Sequence, residues 1–402
     1  MDLELLQQAL RERGLEAWLF YDFEHSDPIA YRVLGLSAEA ISTRRWYYLL
    51  PAQGSPLKLV HRIESDRLDS LPGEKRIYTG WQEQRQRLQE MLAPFGSLAM
   101  QYSPDNQIPY VSRVDAGTIE LIRSFGKKVV SSADLVQLFE ARWTSAALAS
   151  HMEAGKRIDR IISEAFDEMG ARVSAKGETS EAAIQDFILE QFKKNGLVTS
   201  DPPIVAVNGN SGNPHHAVSR DRPTPIRAGD FVLLDVWAKQ NNPGAVYYDV
   251  TWTGFLGDNP PEKIQRVFDI VRTARDRAVE TVQAARRQGR KLCGWEIDRV
   301  ARDFIEQSGY GDCFLHRTGH SIGETVHGNG ATIDNLETRD EREIIPLTAF
   351  SIEPGIYLPE FGVRSEVNVF VEEREARVTG AVQNELIRIR IRSHASGASN
   401  GV

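Results

Sequence analysis

Leu3, Leu6, Ala9 and Leu10 fall on one stripe of a helical net, so their spacing predicts an opening helix over 3–13. Short apolar runs at 17–21, 46–50, 57–61, 98–101 and 128–131 read as strands, and helical periodicity fills 82–92 and 114–125. Helix–strand alternation with short connections predicts a compact α/β domain with a mixed sheet over 1–145. This stretch contains no Gly-rich phosphate loop and no His or carboxylate cluster at chemically suggestive spacing. It reads as scaffold or oligomerisation surface.

From 133 to 169 the pattern is helical, with a break expected near Thr144 and a domain boundary close after it. The next helix, capped by Thr179 or Ser180, carries Ile184, Phe187, Ile188 and Phe192 at the 3.6-residue period. A strand at 202–207 leads into the polar loop NGNSGNP at 208–214. Strands at 231–238 and 246–254 form a hairpin around the turn-forming run Asn241-Asn242-Pro243-Gly244. Helices over 261–287 and 294–308 follow, then strands at 349–352, 363–371 and 385–392. The region 146–392 reads as an α+β domain, and the small polar residues of 393–402 as a flexible tail.

Size and charge narrow the possibilities. A chain of 402 residues is too long for one ordinary core, and 41% hydrophobic with 26% charged residues is the balance of a globular protein. A net charge of −8, with no long basic stripe, argues against nucleic acid as a partner. Ile and Arg alternate strictly over 387–392, which reads as a strand with one solvated face. Cys293 and Cys313 lack CxxC spacing and are expected as reduced thiols. The N-terminus lacks the basic start and apolar block of a signal peptide, and no apolar run approaches the roughly 18 residues of a membrane span. A cytoplasmic location and no membrane partner are the expectations.

Against this background five residues carry candidate chemistry: Asp235 in FVLLDVWA, Asp249 in VYYDVTWTG, His320 in RTGHSIGETVH, Glu353 in FSIEPGIY and Glu366 in GVRSEVNVFV. Four carboxylates and one imidazole are what two divalent cations about 3.5–4 Å apart require. On a strand, alternate side chains share a face. Arg364, Glu366 and Asn368 would form one polar row against Val363, Val367, Val369 and Val371. Tyr247, Asp249, Thr251 and Thr253 face together, opposite Tyr248, Val250 and Trp252. Asp235 differs, because both faces of its strand are apolar; a carboxylate there is costly unless paired or metal-bound. Taken singly, an Asp at a hairpin base such as Asp249 reads as a turn or cap residue, while Glu353 reads equally as a partner for a turn amide and His320 as a loop histidine. Together they point to a metal centre.

The motifs PHH (Pro214–His216), LLDVWA, YYDVTWT, RTGHSIG followed by VH, SIEPGIY and GVRSEV resemble those of the pita-bread metallopeptidases. That group comprises Xaa-Pro aminopeptidases, prolidases, methionine aminopeptidases and creatinase relatives. The resemblance covers about 150–390, and the first 145 residues look like the creatinase/prolidase-type N-terminal domain. It implies an α+β pita-bread catalytic domain in which Asp235 binds one metal, Asp249 and Glu366 bridge both, and His320 and Glu353 complete the second. It places His215 near substrate, His327 against substrate or the tetrahedral intermediate, and Arg364 near the metals. His216 and His316 read as ordinary loop polarity. The cofactor implied is a pair of divalent ions, manganese first, with zinc, cobalt or iron also fitting because oxygen-rich sites discriminate weakly. Two such cations lower the pKa of a bridging water and polarise a scissile carbonyl. Glu353 would shuttle the proton, and Thr251 would steady Asp249.

The implied activity is a dinuclear-metal peptidase cleaving beside proline, with a proline-containing peptide as substrate and a homodimer as the assembly. A creatinase-like or other non-peptide C–N hydrolase is the alternative on the same fold, and a non-catalytic peptide-binding module is a third reading. Three positions depart from the family pattern. Asp235 and Asp249 lie 14 residues apart, more than is usual; Trp237 stands where many relatives have Gly; and Gly328-Asn329-Gly330 replaces an acidic-then-proline continuation.

Overall fold

The computed structural model describes residues 1–391 and divides into two compact units, Met1–Glu140 and Ala141–Val402. The tail expected at 393–402, with Arg392 of the last strand, lies outside the described residues.

The first unit is built on one six-stranded sheet. Its strands run Glu74–Tyr78, Leu57–His61, Trp46–Pro51, Ala17–Asp22, Ser97–Met100 and Lys128–Ser131 in spatial order. Ala17–Asp22 pairs antiparallel with Trp46–Pro51 and parallel with Ser97–Met100, so the sheet is mixed. Alternation explains the layering: Trp18 and Phe20 pack with Leu6, Leu10 and Tyr48 on one face, while Leu19 packs with Tyr47, Leu88 and Ile122 on the other. Two elements escape the hydrophobic pattern. The charged edge strand Glu74–Tyr78 buries only its last residue fully. The seven-residue helix Pro28–Leu34 is too short to show a period, and starts where the Asp27 side chain accepts from Ile29 N and Ala30 N.

The expected break near Thr144 falls between helix Ala133–Glu140, which ends the first unit, and helix Ser145–Lys176, the first helix of the second. Thr144 caps the latter by accepting from Ala147 N, and Gly177 ends it at φ +80°. The Ser145–Lys176 helix lies on the hairpin Phe231–Gln240/Tyr248–Leu256. Ile158, Ile162 and Met169 pack there against Val232, Leu234, Val236 and Val250. On its other side, Phe231, Leu233 and Phe255 join a second core with Val267, Phe268 and Val271 of helix Glu262–Arg287. That core also receives Ile352 and Val367 from a four-stranded sheet ordered Ser321–Ile322, Ala349–Ile352, Val367–Val371, Ala376–Thr379.

One sequence expectation fails here. The strand expected over 363–371 is two strands: Gly362–Arg364, paired with Gly355–Tyr357, and Val367–Val371, in the four-stranded sheet. The chain turns between sheets at Ser365 and Glu366, so Arg364, Glu366 and Asn368 do not form one continuous polar row. The valine alternation runs through the turn because both strands are buried.

Candidate metal centre

The antiparallel register places Thr251 opposite Asp235 and Trp237 opposite Asp249, so the two aspartates are diagonal neighbours on one face of the hairpin. Asn368 fastens the neighbouring sheet to this hairpin: its Nδ2 donates to Asp249 O at 2.6 Å and its Oδ1 accepts from Asp249 N at 3.3 Å. Glu366, at the turn between sheets, donates its N–H to Thr251 O at 3.3 Å. His320 enters from the loop before Ser321–Ile322. Ser351 N donates to His320 O at 2.9 Å and Glu353 N to Thr318 O at 2.7 Å, so the two chain segments run side by side. A Cβ on Gly319 would fall 1.9 Å from Ser351 O, and glycine alone permits that approach.

These elements bring together donor atoms of Asp249, His320 and Glu366 within 4.8 Å of one another, all three residues being buried. His320 Nε2 lies 3.4 Å from Asp249 Oδ2 and 3.4 Å from Glu353 Oε1, which ties Glu353 to the group. Asp235 joins through Thr251, whose Oγ1 is 3.0 Å from Asp235 Oδ1 and 2.8 Å from Glu366 Oε2. The Thr251 hydroxyl also accepts from Arg364 Nε at 2.9 Å, so its single proton serves only one of the two carboxylates. Arg364 further pairs with Asp235 through Nη2 and approaches Glu353 Oε2 at 3.8 Å.

Electrostatics follow from this crowding. Burial pushes the Asp235 carboxyl up to about 7, with Arg364 pulling it down and Asp249 and Glu353 pushing it further up. Burial and the other carboxylates drive Glu366 well above the usual carboxylate range, and burial raises Asp249. Glu353 goes the other way: burial opposes its charge, but His320, His316 and Arg364 outweigh burial and hold it below the ordinary value. His320 is raised because hydrogen bonding to Asp249 and the charges of Glu353 and Asp249 overcome burial. Among the described residues the buried Glu366 Oε1 has no hydrogen-bond partner. A buried oxygen without a donor, beside three further carboxylates and an imidazole, fits a divalent cation: oxygen donors for a hard ion and one borderline nitrogen.

Of the remaining expected site residues, Arg364 and His327 stand against this group. The His327 ring stands edge-on to His320 with centroids 4.4 Å apart, and His320's charge, then burial, lowers His327 to about 3. His215 is exposed, and its charge also bears on His327. Trp237 packs against the small core of Val246, Tyr247 and Ile322, and its buried indole Nε1 has no partner among the described residues.

Two residues that sequence reasoning set aside, or did not single out, belong here. Arg364 Nη1 donates to the Tyr357 hydroxyl at 3.2 Å, and that hydroxyl lies 2.7 Å from His316 Nε2. His316 Nδ1 is 2.6 Å from the Arg317 carbonyl, which accepts only, so Nδ1 carries the proton and Nε2 accepts from Tyr357. Burial lowers His316 to about 4 and keeps it neutral, while burial raises Tyr357 to about 12. The usable signal for Tyr357 was its place in SIEPGIY, two residues past Gly355, which pairs with Arg364.

Buried carboxylates gathered with one imidazole on paired sheets make the donor set of a divalent-metal protein. The match to known proteins makes it specific. Residues 150–373 match the model of metallopeptidase family M24, and the chain belongs to that family. It is 30% identical over 230 residues to the Xaa-Pro dipeptidase of Pyrococcus furiosus, covering 57% of this chain and 60% of that protein. The match spans 52% and 53% of the next two curated relatives, from Mycoplasma pneumoniae and Mycoplasma genitalium. Among solved structures, dipeptidase PepE from Mycobacterium ulcerans superposes with a TM-score of 0.69 at 24% identity, covering 97% of both chains. The prolidase from Thermococcus sibiricus gives 0.60 at 23% identity, covering 96% of this chain and 99% of its own. The fold is therefore the α+β pita-bread fold. Membership of the family implies use of a divalent metal, and no helix among the described residues is long and apolar enough to cross a membrane.

Proposed function

We propose that this chain is a dinuclear-metal-dependent peptidase that hydrolyses peptide bonds beside proline, of the dipeptidase or aminopeptidase type. The convergence of Asp249, His320 and Glu366, with Glu353 and Asp235 attached, supports this reading more than any other observation. Asp235, Asp249, His320, Glu353 and Glu366 would hold the ions, with manganese as the preferred metal. When bound, such cations supply Lewis acidity that polarises a carbonyl and acidifies water.

The protein's own groups divide the remaining work. Glu353, held ionised by His320 and Arg364, is suited to take a proton from attacking water and deliver it to the leaving amine. His327 stays neutral beside His320 and offers a hydrogen bond to the reacting carbonyl. His215 contacts the substrate from the exposed side of the centre, and Arg364 with Tyr357 holds Asp235 in place. The Pyrococcus furiosus relative is named an Xaa-Pro dipeptidase, which favours proline-containing dipeptides as the substrate class. Assembly as a homodimer is part of the proposal.

Dialysis against a chelator should abolish turnover of Xaa-Pro dipeptides and tripeptides, and Mn²⁺ should restore it with about two ions bound per chain. Turnover that survives chelation would sink the reading.

A further inference from the structure

Adjacent histidines on one loop have opposite surroundings. His215 is exposed, whereas His216 Nε2 lies 3.0 Å from Oε2 of Glu181, whose side chain is 0% exposed. The other Glu181 oxygen accepts from Val207 N at 2.8 Å and from Asn210 Nδ2 at 2.9 Å. One buried carboxylate thus ties together the end of strand Ile204–Val207, the turn Asn208–Gly212 and the His216 ring. It stands at the first residue of helix Glu181–Lys194, where the helix dipole favours negative charge.

The same loop is held from its other side. Gly362 N donates to Ser211 Oγ at 2.8 Å, and a Cβ on Gly212 would come within 2.4 Å of Leu358 O. Arg364 Nη1 reaches Pro214 O at 3.5 Å. His215 therefore sits between two anchored neighbours: Pro214, tied to the arginine of the metal centre, and His216, tied to Glu181. A buried charge is a costly way to gain stability alone, but three directed hydrogen bonds to a carboxylate fix orientation.

We propose that Glu181 is a positioning residue for this centre: through His216 it fixes the backbone over 213–216 and so the aim of the His215 ring. The inference rests on His215 being substrate-facing, as in the function proposed above. No atom of Glu181 touches the reacting groups.

The test compares Glu181→Gln, His216→Ala and His216→Gln, each in the natural and the His215→Ala backgrounds, with kcat, KM and Tm measured on alanyl-proline in Mn²⁺. Glu181→Gln and His216→Ala should lower kcat/KM about tenfold where His215 is present and less than about twofold where it is absent. His216→Gln keeps a donor at similar reach and should recover most of the loss. Equal losses in both backgrounds would overturn the inference and leave Glu181 as a purely structural group.

A second readout needs no turnover. In metal-free protein labelled with ¹⁵N-histidine, the His215 ring signals should move in Glu181→Gln and His216→Ala and return in His216→Gln. Unmoved signals overturn the inference. Moved signals in a protein that cleaves no peptide uphold it and count against the peptidase reading alone. If Glu181→Gln does not fold, the two His216 variants carry the same comparison.

Discussion

Asp22 in the first unit and Glu366 in the second are both fully enclosed carboxylates, and their surroundings could hardly differ more. Asp22 receives His25 N at 3.3 Å, Asp27 N at 3.1 Å and the Tyr31 hydroxyl at 2.7 Å, with Ser26 and Ser42 hydroxyls at 3.4 Å. Glu366 receives at most one proton, from a hydroxyl it shares with Asp235, and one of its oxygens has no donor among the described residues. Where a buried carboxylate serves the fold, donors surround it; Glu366 instead faces other carboxylates and an imidazole, a donor set that fits a divalent cation. Asp27 guards against overreading a single orphan oxygen. Its Oδ2 also lacks a partner among the described residues, and burial pushes its carboxyl up to about 7, so protonation alone relieves it. What sets the metal centre apart is several carboxylates converging with an imidazole.

The contrast breaks most sharply at Glu366. Glu366→Gln should cost at least about 10³-fold in metal-dependent Xaa-Pro turnover, yet raise the Tm of the metal-free protein by removing a carboxyl whose ionisation burial and its neighbours oppose. A lowered metal-free Tm would mean that Glu366, like Asp22, serves the fold. Asp22→Ala should do the reverse: metal binding by the second unit unchanged, and urea stability of the first unit down by about 3 kcal/mol, because several buried donors lose their acceptor.

His151 sharpens the comparison with a buried imidazole whose partners are complete: Nδ1 donates to Tyr247 O at 2.6 Å and Nε2 faces the Thr379 hydroxyl at 2.7 Å. Burial lowers its pKa to about 4. The folded value lies below the unfolded one, so the unfolded chain binds the extra proton first. Stability from His151 is complete above about pH 6.5, falls as pH drops, and is spent near pH 4, a swing of about 3 kcal/mol. Urea midpoints at pH 7 and 4.5 should show that swing, and a His151→Gln protein should lack this component. The smallest effect belongs to Thr251→Val, which removes the shared proton without changing shape. It should lower activity or metal affinity about 10–100-fold, and calorimetric titration with Mn²⁺ separates the two.

Much of this organisation was legible in the residues, and the failures have physical causes. Strands Leu57–His61, Lys128–Ser131 and Ala349–Ile352 fall where the apolar runs predict, because each is locally hydrophobic and bounded by polar turns. The edge strand Glu74–Tyr78 was invisible because four of its five residues face water at least in part. Asp235 stood out as a costly residue in an apolar strand, and the other four candidates only as a set. Their mutual geometry did not, since Glu366 leaves its expected strand at a turn that alternation cannot reveal. His216 and His316 looked like loop polarity because their partners, Glu181 and Tyr357, lie 35 and 41 residues away in the chain. A histidine's role is set by what it meets, and nothing local announces a partner that distant.

The two-way amide contact of Asn368 with the backbone of Asp249 has a mechanical consequence. It rivets the sheet carrying Glu366 to the hairpin carrying both aspartates, using main-chain atoms that no ion needs to reach. The spacing of the carboxylates on the two sheets is then set by main-chain hydrogen bonds rather than by the carboxylates themselves. Exchanging the side chain of Glu366 or of either aspartate would leave that fastening in place, because it runs through the Asp249 main chain.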